Sequence, residues 1–228
     1  MTFANLPKGH YGTILADPPW HFQTWKGAFS ANSISGARNA REPDYLTMRE
    51  PEISALPIAD LAAPDCVLFL WTCWPTLEQS LRVLKAWGFE YKTCAFSWMK
   101  GDPYRLWADE QTPRMGLGYW TRANTEPCLL ATRGKPKRIA ADVRQGIIDK
   151  PREHSRKPDC VHERIERLVA GPYLELFARQ QRPGWDCWGN ETDKFKYDGQ
   201  DDFAKSLDVA YESIRERKAA GGPGWEPA

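Results

Sequence analysis

TILADPPWHF, residues 13–22, ends a run of β-forming residues abruptly in an acid, two prolines and a tryptophan. Pro18 disfavours helix at Asp17 and cannot join a hydrogen-bond ladder, so the strand read over YGTILA (11–16) stops there. Residues 24–43, rich in Gly, Ser, Asn and Ala with little periodicity, read as a long loop of the kind that forms lids or binding loops. CVLFLW (66–71) is an uninterrupted apolar run, as in a strand covered on both faces.

A helix is predicted over TLEQSLRVLKAWG (76–88). Leu77, Leu81, Leu84 and Trp87 make its apolar stripe, Thr76 with Gln79 resembles a capping box, and Gly88 suits the stop. YKTCAFSWM (91–99), PCLLATRG (127–134), YLELFA (173–178) and WDCWGNE (185–191) read as strands. PDCVHERIERLVAG (158–171) reads as a second helix with Val161, Ile165, Leu168 and Val169 on one face, and 201–220 as an amphipathic third. Strands alternating with helices predict an α/β fold: a Rossmann-like, mostly parallel central sheet flanked by helices. Residues 1–195 are expected to form this domain and 196–228 a helical tail. In such sheets ligands sit beyond the carboxyl ends of the strands. DPPW occupies that position after 11–16, and ARQ (178–180) occupies it after 173–177.

Composition narrows the class. The chain has 228 residues, 42% hydrophobic, and no apolar run approaching a membrane span. The opening MTFANLPKGH lacks the pattern of a secretory signal, so a soluble cytoplasmic protein is expected. The six cysteines show no Cys-x-x-Cys pair and the four histidines are scattered, so no metal site is expected. A net charge of +1 argues against a protein that binds nucleic acid by charge alone. The distribution is uneven: residues 133–157 hold nine basic against three acidic residues, and 191–228 six against nine. A basic run is usually a solvated face.

The DPPW composition suits an exocyclic amine such as that of adenine, a poor nucleophile because its lone pair is delocalised into the ring. Acceptors on both N–H groups make the nitrogen more tetrahedral and aim its lone pair. Asp17 offers a carboxylate, the Pro18 carbonyl a second acceptor, and the Pro18-Pro19 pair fixes the direction. Trp20 offers a stacking surface, a contact worth about 1–3 kcal/mol per base. The alternative reading is a proline-rich strand exit with a core tryptophan.

ILADPPW (14–20), GLGYWTRANTEPCLLATRGKP (116–136), SRKPDCVHERIERL (155–168), and YLELFARQ with WDCWGNE (173–180 and 185–191) together resemble the mRNA-adenosine ("A-seventy") methyltransferase family, in its bacterial and phage form. Their order, with the catalytic motif ahead of the cofactor strand, is also the family's. The resemblance implies an S-adenosyl-L-methionine cofactor and transfer of methyl to the N6 amine of adenine in nucleic acid, with DNA favoured over RNA. It carries Asp17, Pro18, Pro19 and Trp20 onto the catalytic tetrapeptide. It places Asp17, Lys157, Glu175, Phe177 and Arg179 around the cofactor, and Asn190 and Glu191 on its ribose hydroxyls. Ala178 stands where the family has glycine. Only sixteen residues precede Asp17, so no counterpart is expected of the acid that longer relatives place against the cofactor's adenine.

Trp120, Asn124 and Glu126 fall in a segment near the target base in the family; a core tryptophan and capping residues are the alternative reading. His21 and His154 read as hydrogen-bonded loop residues. Beside DPPW, the basic segment offers Lys135, Lys137 and Arg138 as phosphate partners, and 24–43 a lid over a flipped base. The rivals are N6 methylation of RNA, N4 methylation of cytosine (which favours Ser over Asp17) and a silent partner subunit, which would lose the acid or aromatic of the tetrapeptide. A monomer or homodimer is expected, with a partner subunit as the alternative.

Overall fold

The computed structural model describes residues 3–21, 47–102, 120–121, 123–153 and 155–197. The loop expected at 24–43, most of the GLGYW stretch, His154 and the helix expected at 201–220 lie outside the described residues. Seven strands form one sheet: β1 (Tyr11–Ala16), β2 (Ala62–Trp71), β3 (Glu90–Lys100), β4 (Thr125–Arg133), β5 (Gly146–Asp149), β6 (Tyr173–Leu176) and β7 (Trp185–Trp188). Their order is β5-β3-β4-β2-β1-β6-β7. β4 alone runs against the rest, pairing antiparallel with β2 and β3, so the sheet is mostly parallel, as the sequence predicts. No helix among the described residues is long and apolar enough to cross a membrane.

The uninterrupted apolar runs become central strands because both of their faces are covered. Successive side chains point to opposite faces. From β1 and β2, Ile14, Ala16, Leu68 and Leu70 therefore enter one core and Leu15, Val67, Phe69 and Trp71 the other. The first core is closed by α1 (Glu50–Ser54), α2 (Ile58–Leu61) and α3 (Leu77–Ala86), through Ile53, Ile58, Val83 and Leu84. The second is closed by α4 (Cys160–Leu168), through Val161 and Ile165. The helices thus flank the sheet on both faces.

Three local readings are corrected. Leu81 is 38% exposed; the face of α3 that meets the core carries Ser80, Val83 and Leu84. Thr76 makes no cap for α3, because its hydroxyl is taken by Thr72 (2.9 Å) and the Cys73 carbonyl (3.0 Å). A one-turn 3-10 segment, Trp74–Thr76, therefore leads into the helix. Gly88 does close it, at φ +81°. Val169 lies past the end of α4, in a bridge to Arg138.

The carboxyl ends of β6 and β7 approach closely. Phe177, just past β6, sits at φ +62°, a region that costs a non-glycine residue energy and persists where its surroundings enforce it. The Ala178 N–H donates to the Trp188 carbonyl at 2.9 Å. A Cβ on Gly189 would run into the Ala178 and Phe177 backbone. Gly189→Ala is therefore expected to lower stability by about 1–3 kcal/mol through forced backbone separation. Denaturant unfolding measures it, and a neutral effect contradicts this packing.

Candidate active site

β1, β2 and β6 run in register and end together. The pairs Ala16–Leu70 and Ala16–Leu176 bring Asp17, Trp71 and Phe177 to one edge. The Asp17 N–H donates to the Leu176 carbonyl at 3.3 Å, the last bond before the prolines end the ladder. The chain then turns sharply: the Pro18 carbonyl accepts from the Trp20 N–H at 2.8 Å, and the Pro19 carbonyl from the Met48 N–H at 2.8 Å. Trp20 is 4% exposed, packed in the first core, with its indole N–H on the Trp71 carbonyl at 2.9 Å. The structure thus places it as the core tryptophan of the alternative reading. Trp71, not Trp20, reaches the cavity beside Asp17.

At this edge a chain of alternating charges crosses four elements of structure. Lys157 Nζ lies 2.9 and 2.7 Å from the two oxygens of Asp17, and 3.6 Å from Glu126. Glu126 in turn pairs with Lys100 at the end of β3. The side chains of Asp17, Lys157 and Glu126 are 23%, 17% and 23% exposed, so they are largely but not fully withdrawn from water. Burial pushes the Asp17 carboxyl above the usual range, against the pull of Lys157. Burial works against the Lys157 charge too, but the facing carboxylates Asp17 and Glu126 outweigh it and raise its pKa. Burial also opposes the Glu126 charge, and Lys157 and Lys100 overcome that and lower its pKa. The network thus shifts the two carboxylates in opposite directions, Asp17 towards greater basicity and Glu126 towards less.

A cavity opens beside this network, walled by residues from β6, α4 and the loops around them. Asp17, Lys157, Glu175, Phe177 and Arg179, which the resemblance groups around a cofactor, line it together. Trp71, Arg156, His162, Gln180 and Phe195 line it as well; of these only Gln180, in the ARQ string past β6, was pointed to from sequence. Arg156 lies within the SRKPD string and His162 three residues beyond it, close enough to have been included; Phe195 carries no local signal at all. His162 Nε2 lies 2.8 Å from Glu175 Oε2. The Arg156 and Arg179 guanidinium groups lie 4.9 and 5.2 Å from the Phe195 ring centre. Three buried polar atoms in this wall have no hydrogen-bond partner among the described residues: Arg156 Nε, His162 Nδ1 and Gln180 Nε2. Buried polar atoms are normally satisfied, so three orphans around one cavity mark a surface shaped for a polar ligand.

The remaining candidates are dispersed. Glu191 accepts from Arg179 Nε at 3.0 Å at the cavity rim, with Asn190 exposed beside it. The Asn124 carbonyl accepts from the Lys100 N–H at 2.9 Å, and Trp120 is 87% exposed. His21 is bonded to Thr47 at 3.0 Å. Lys135, Lys137 and Arg138 are exposed but lie at the opposite edge of the sheet. Because β4 is antiparallel, Cys128 faces Trp71 at the site while Arg133 faces Cys66, about 17 Å away along the strand. Arg138 then bridges Val169, shortly before β6 begins. Among the described residues no cluster of three His, Cys, Asp or Glu could hold a metal ion.

The MT-A70 family model matches residues 11–191. The chain is 34% identical over 203 residues to the type II methyltransferase M.MunI of Mycoplasma sp, covering 83% of this chain and 81% of that protein. It is 30% identical over 189 residues to the N(6)-adenosine-methyltransferase MT-A70-like of Arabidopsis thaliana, and 28% over 199 residues to the N(6)-adenine-specific methyltransferase METTL4 of Homo sapiens. Those matches take 80% and 82% of this chain but only 24% and 38% of the relatives.

Lys157→Met leaves Asp17 and Glu126 withdrawn from water with Lys100 alone. Both carboxyl pKa values then rise in the folded state, so folding favours their protonated forms and stability falls as pH rises from about 4 towards 7. The deficit relative to wild type is expected to grow over that window to about 3 kcal/mol, the lower end for breaking a buried pair. Chemical denaturation at several pH values checks this; a deficit constant from pH 4 to 8 contradicts it.

Proposed function

The chain belongs to the MT-A70 family, and from that premise we propose that it transfers methyl from S-adenosyl-L-methionine to the N6 amine of adenine in DNA. The observation that carries the reading is the Asp17–Lys157 pair at the carboxyl edge of the sheet, opening onto a cavity with three unpartnered buried polar atoms. DNA is taken as the polymer because a type II methyltransferase matches over four-fifths of both chains, whereas the N(6)-adenosine-methyltransferase is matched over a quarter of its length.

The cavity's donor set fits the cofactor. Arg156 and Arg179 offer charge-assisted bonds to a carboxylate, and the Gln180 amide and His162 ring add polar atoms that now lack partners. Glu175 and, at the rim, Asn190 and Glu191 suit ribose hydroxyls, and Phe177 and Phe195 supply apolar walls. When bound, S-adenosyl-L-methionine supplies an electrophilic methyl group. The protein's own part is positioning. Asp17 accepts one N–H of the target amine, and the second lone pair of the Pro18 carbonyl remains for the other. Lys157 fixes the Asp17 carboxylate by holding both oxygens. Methylation makes the amine acidic, and the raised basicity of Asp17 suits it to take the released proton.

Labelled methyl transfer to DNA and RNA, followed by nucleoside mass spectrometry, tests this reading. N6-methyladenine is expected in DNA, and Asp17→Asn should lower the rate at least about 100-fold, as for loss of a positioned acid–base group. Calorimetry should show cofactor binding retained in that variant. Undiminished transfer by Asp17→Asn contradicts the reading. Reversing Lys135, Lys137 and Arg138 to glutamate is expected to leave the KM for a short duplex within twofold, since these residues sit at the far edge; a large rise would restore them as phosphate contacts.

A further inference from the structure

Trp74 is a large aromatic residue that packing in the core does not explain. It is 50% exposed, although tryptophan is mostly buried in folded proteins. A single exposed apolar side chain needs no explanation by itself. Its place and its rigidity do. β2 ends at Trp71, and the chain continues alongside β4: the Thr72 N–H donates to the Pro127 carbonyl at 3.0 Å. Trp74 opens the 3-10 turn that follows, and its indole N–H donates to Thr125 Oγ1 at 2.9 Å. The turn is anchored from beneath by Thr76, fully buried and bonded to Thr72 and Cys73. The ring is therefore held out from the sheet edge on a fixed support.

That edge is the one that carries the site. Thr125 precedes Glu126, which contacts Lys157, which holds Asp17. The residue before Trp74, Cys73, feels the same charges: burial and then Glu126 push its thiol up to about 11. Trp20, the aromatic of the tetrapeptide, is committed to the core and its indole N–H to the Trp71 carbonyl. A flat, rigid, half-exposed indole beside the Lys100–Glu126–Lys157–Asp17 network is thus left to meet whatever approaches the site.

We propose that the exposed face of Trp74 is the stacking surface for an unpaired base of the substrate strand at the mouth of the site. The proposal rests on the nucleic-acid methyltransferase reading above. A base removed from its duplex loses its stacking partners, and an aromatic platform at the entrance replaces them at little cost in conformational freedom. Trp74 is then a positioning residue: it holds the strand and touches neither cofactor nor transferred methyl.

The test compares wild type, Trp74→Ala and Trp74→Phe on a DNA duplex and on the matching single strand. Trp74→Ala should raise the KM for DNA about fivefold or more, the lower end of one base–aromatic stack, while the Kd for S-adenosyl-L-methionine stays within twofold. Trp74→Phe should recover most of the loss. A KM unchanged in Trp74→Ala overturns the proposal and leaves the methyltransferase reading standing. Equal losses of DNA affinity, cofactor binding and thermal stability, with no rescue by phenylalanine, also overturn it and make Trp74 a structural residue. If wild type transfers no methyl to any nucleic acid, the reading itself fails and takes the proposal with it.

Discussion

The Asp17–Lys157 pair ties together residues 140 positions apart, and the site depends on it. A carboxylate at the end of a buried strand, next to a second carboxylate, is unfavourable without a cation between them. Lys157 is that cation. It comes from the loop leading into α4, so the pair also clamps α4 and the cavity wall against the end of β1. Lys100 performs the same service for Glu126 one layer further out. The alternation keeps Glu126 readily ionised and limits the rise that burial imposes on Asp17.

The sheet sets these partners at one edge. Parallel β1, β2 and β6 end at the same level. Antiparallel β4 begins at that level, so its first residues, Thr125 and Glu126, face the site while its last ones lead away. The direction of one strand thus decides which half of a sequence segment takes part. The close contact of Gly189 with the Phe177–Ala178 backbone keeps the cavity side of this edge compact.

Strong local signals explain what the sequence made legible. Apolar runs such as CVLFLW, and the Pro18 stop, predicted the central strands and the edge where the site lies. Asp17, Lys157, Glu175, Phe177 and Arg179 came from the family resemblance, and they meet in one cavity. The failures have a common cause, which is direction in space. Nothing local tells that Trp20 turns inward, that Leu81 turns outward, or that β4 carries Lys135, Lys137 and Arg138 to the far side. Short elements were missed for a different reason: α1 has five residues and β5 four, too few for a period to register. Arg156 and His162 emerge as site residues only once their buried, unpartnered atoms are seen to share a wall with Gln180.

On the proposed function, Asp17 and Lys157 act as one positioning unit for the acceptor amine. A double-mutant cycle on the single-turnover rate of methyl transfer, with Asp17→Asn, Lys157→Met and both together, addresses it most directly. If the claim holds, the double variant is no slower than Asp17→Asn alone, because the lysine has nothing left to orient. Losses that multiply would contradict the account, since they would mean that each residue contributes by a separate route.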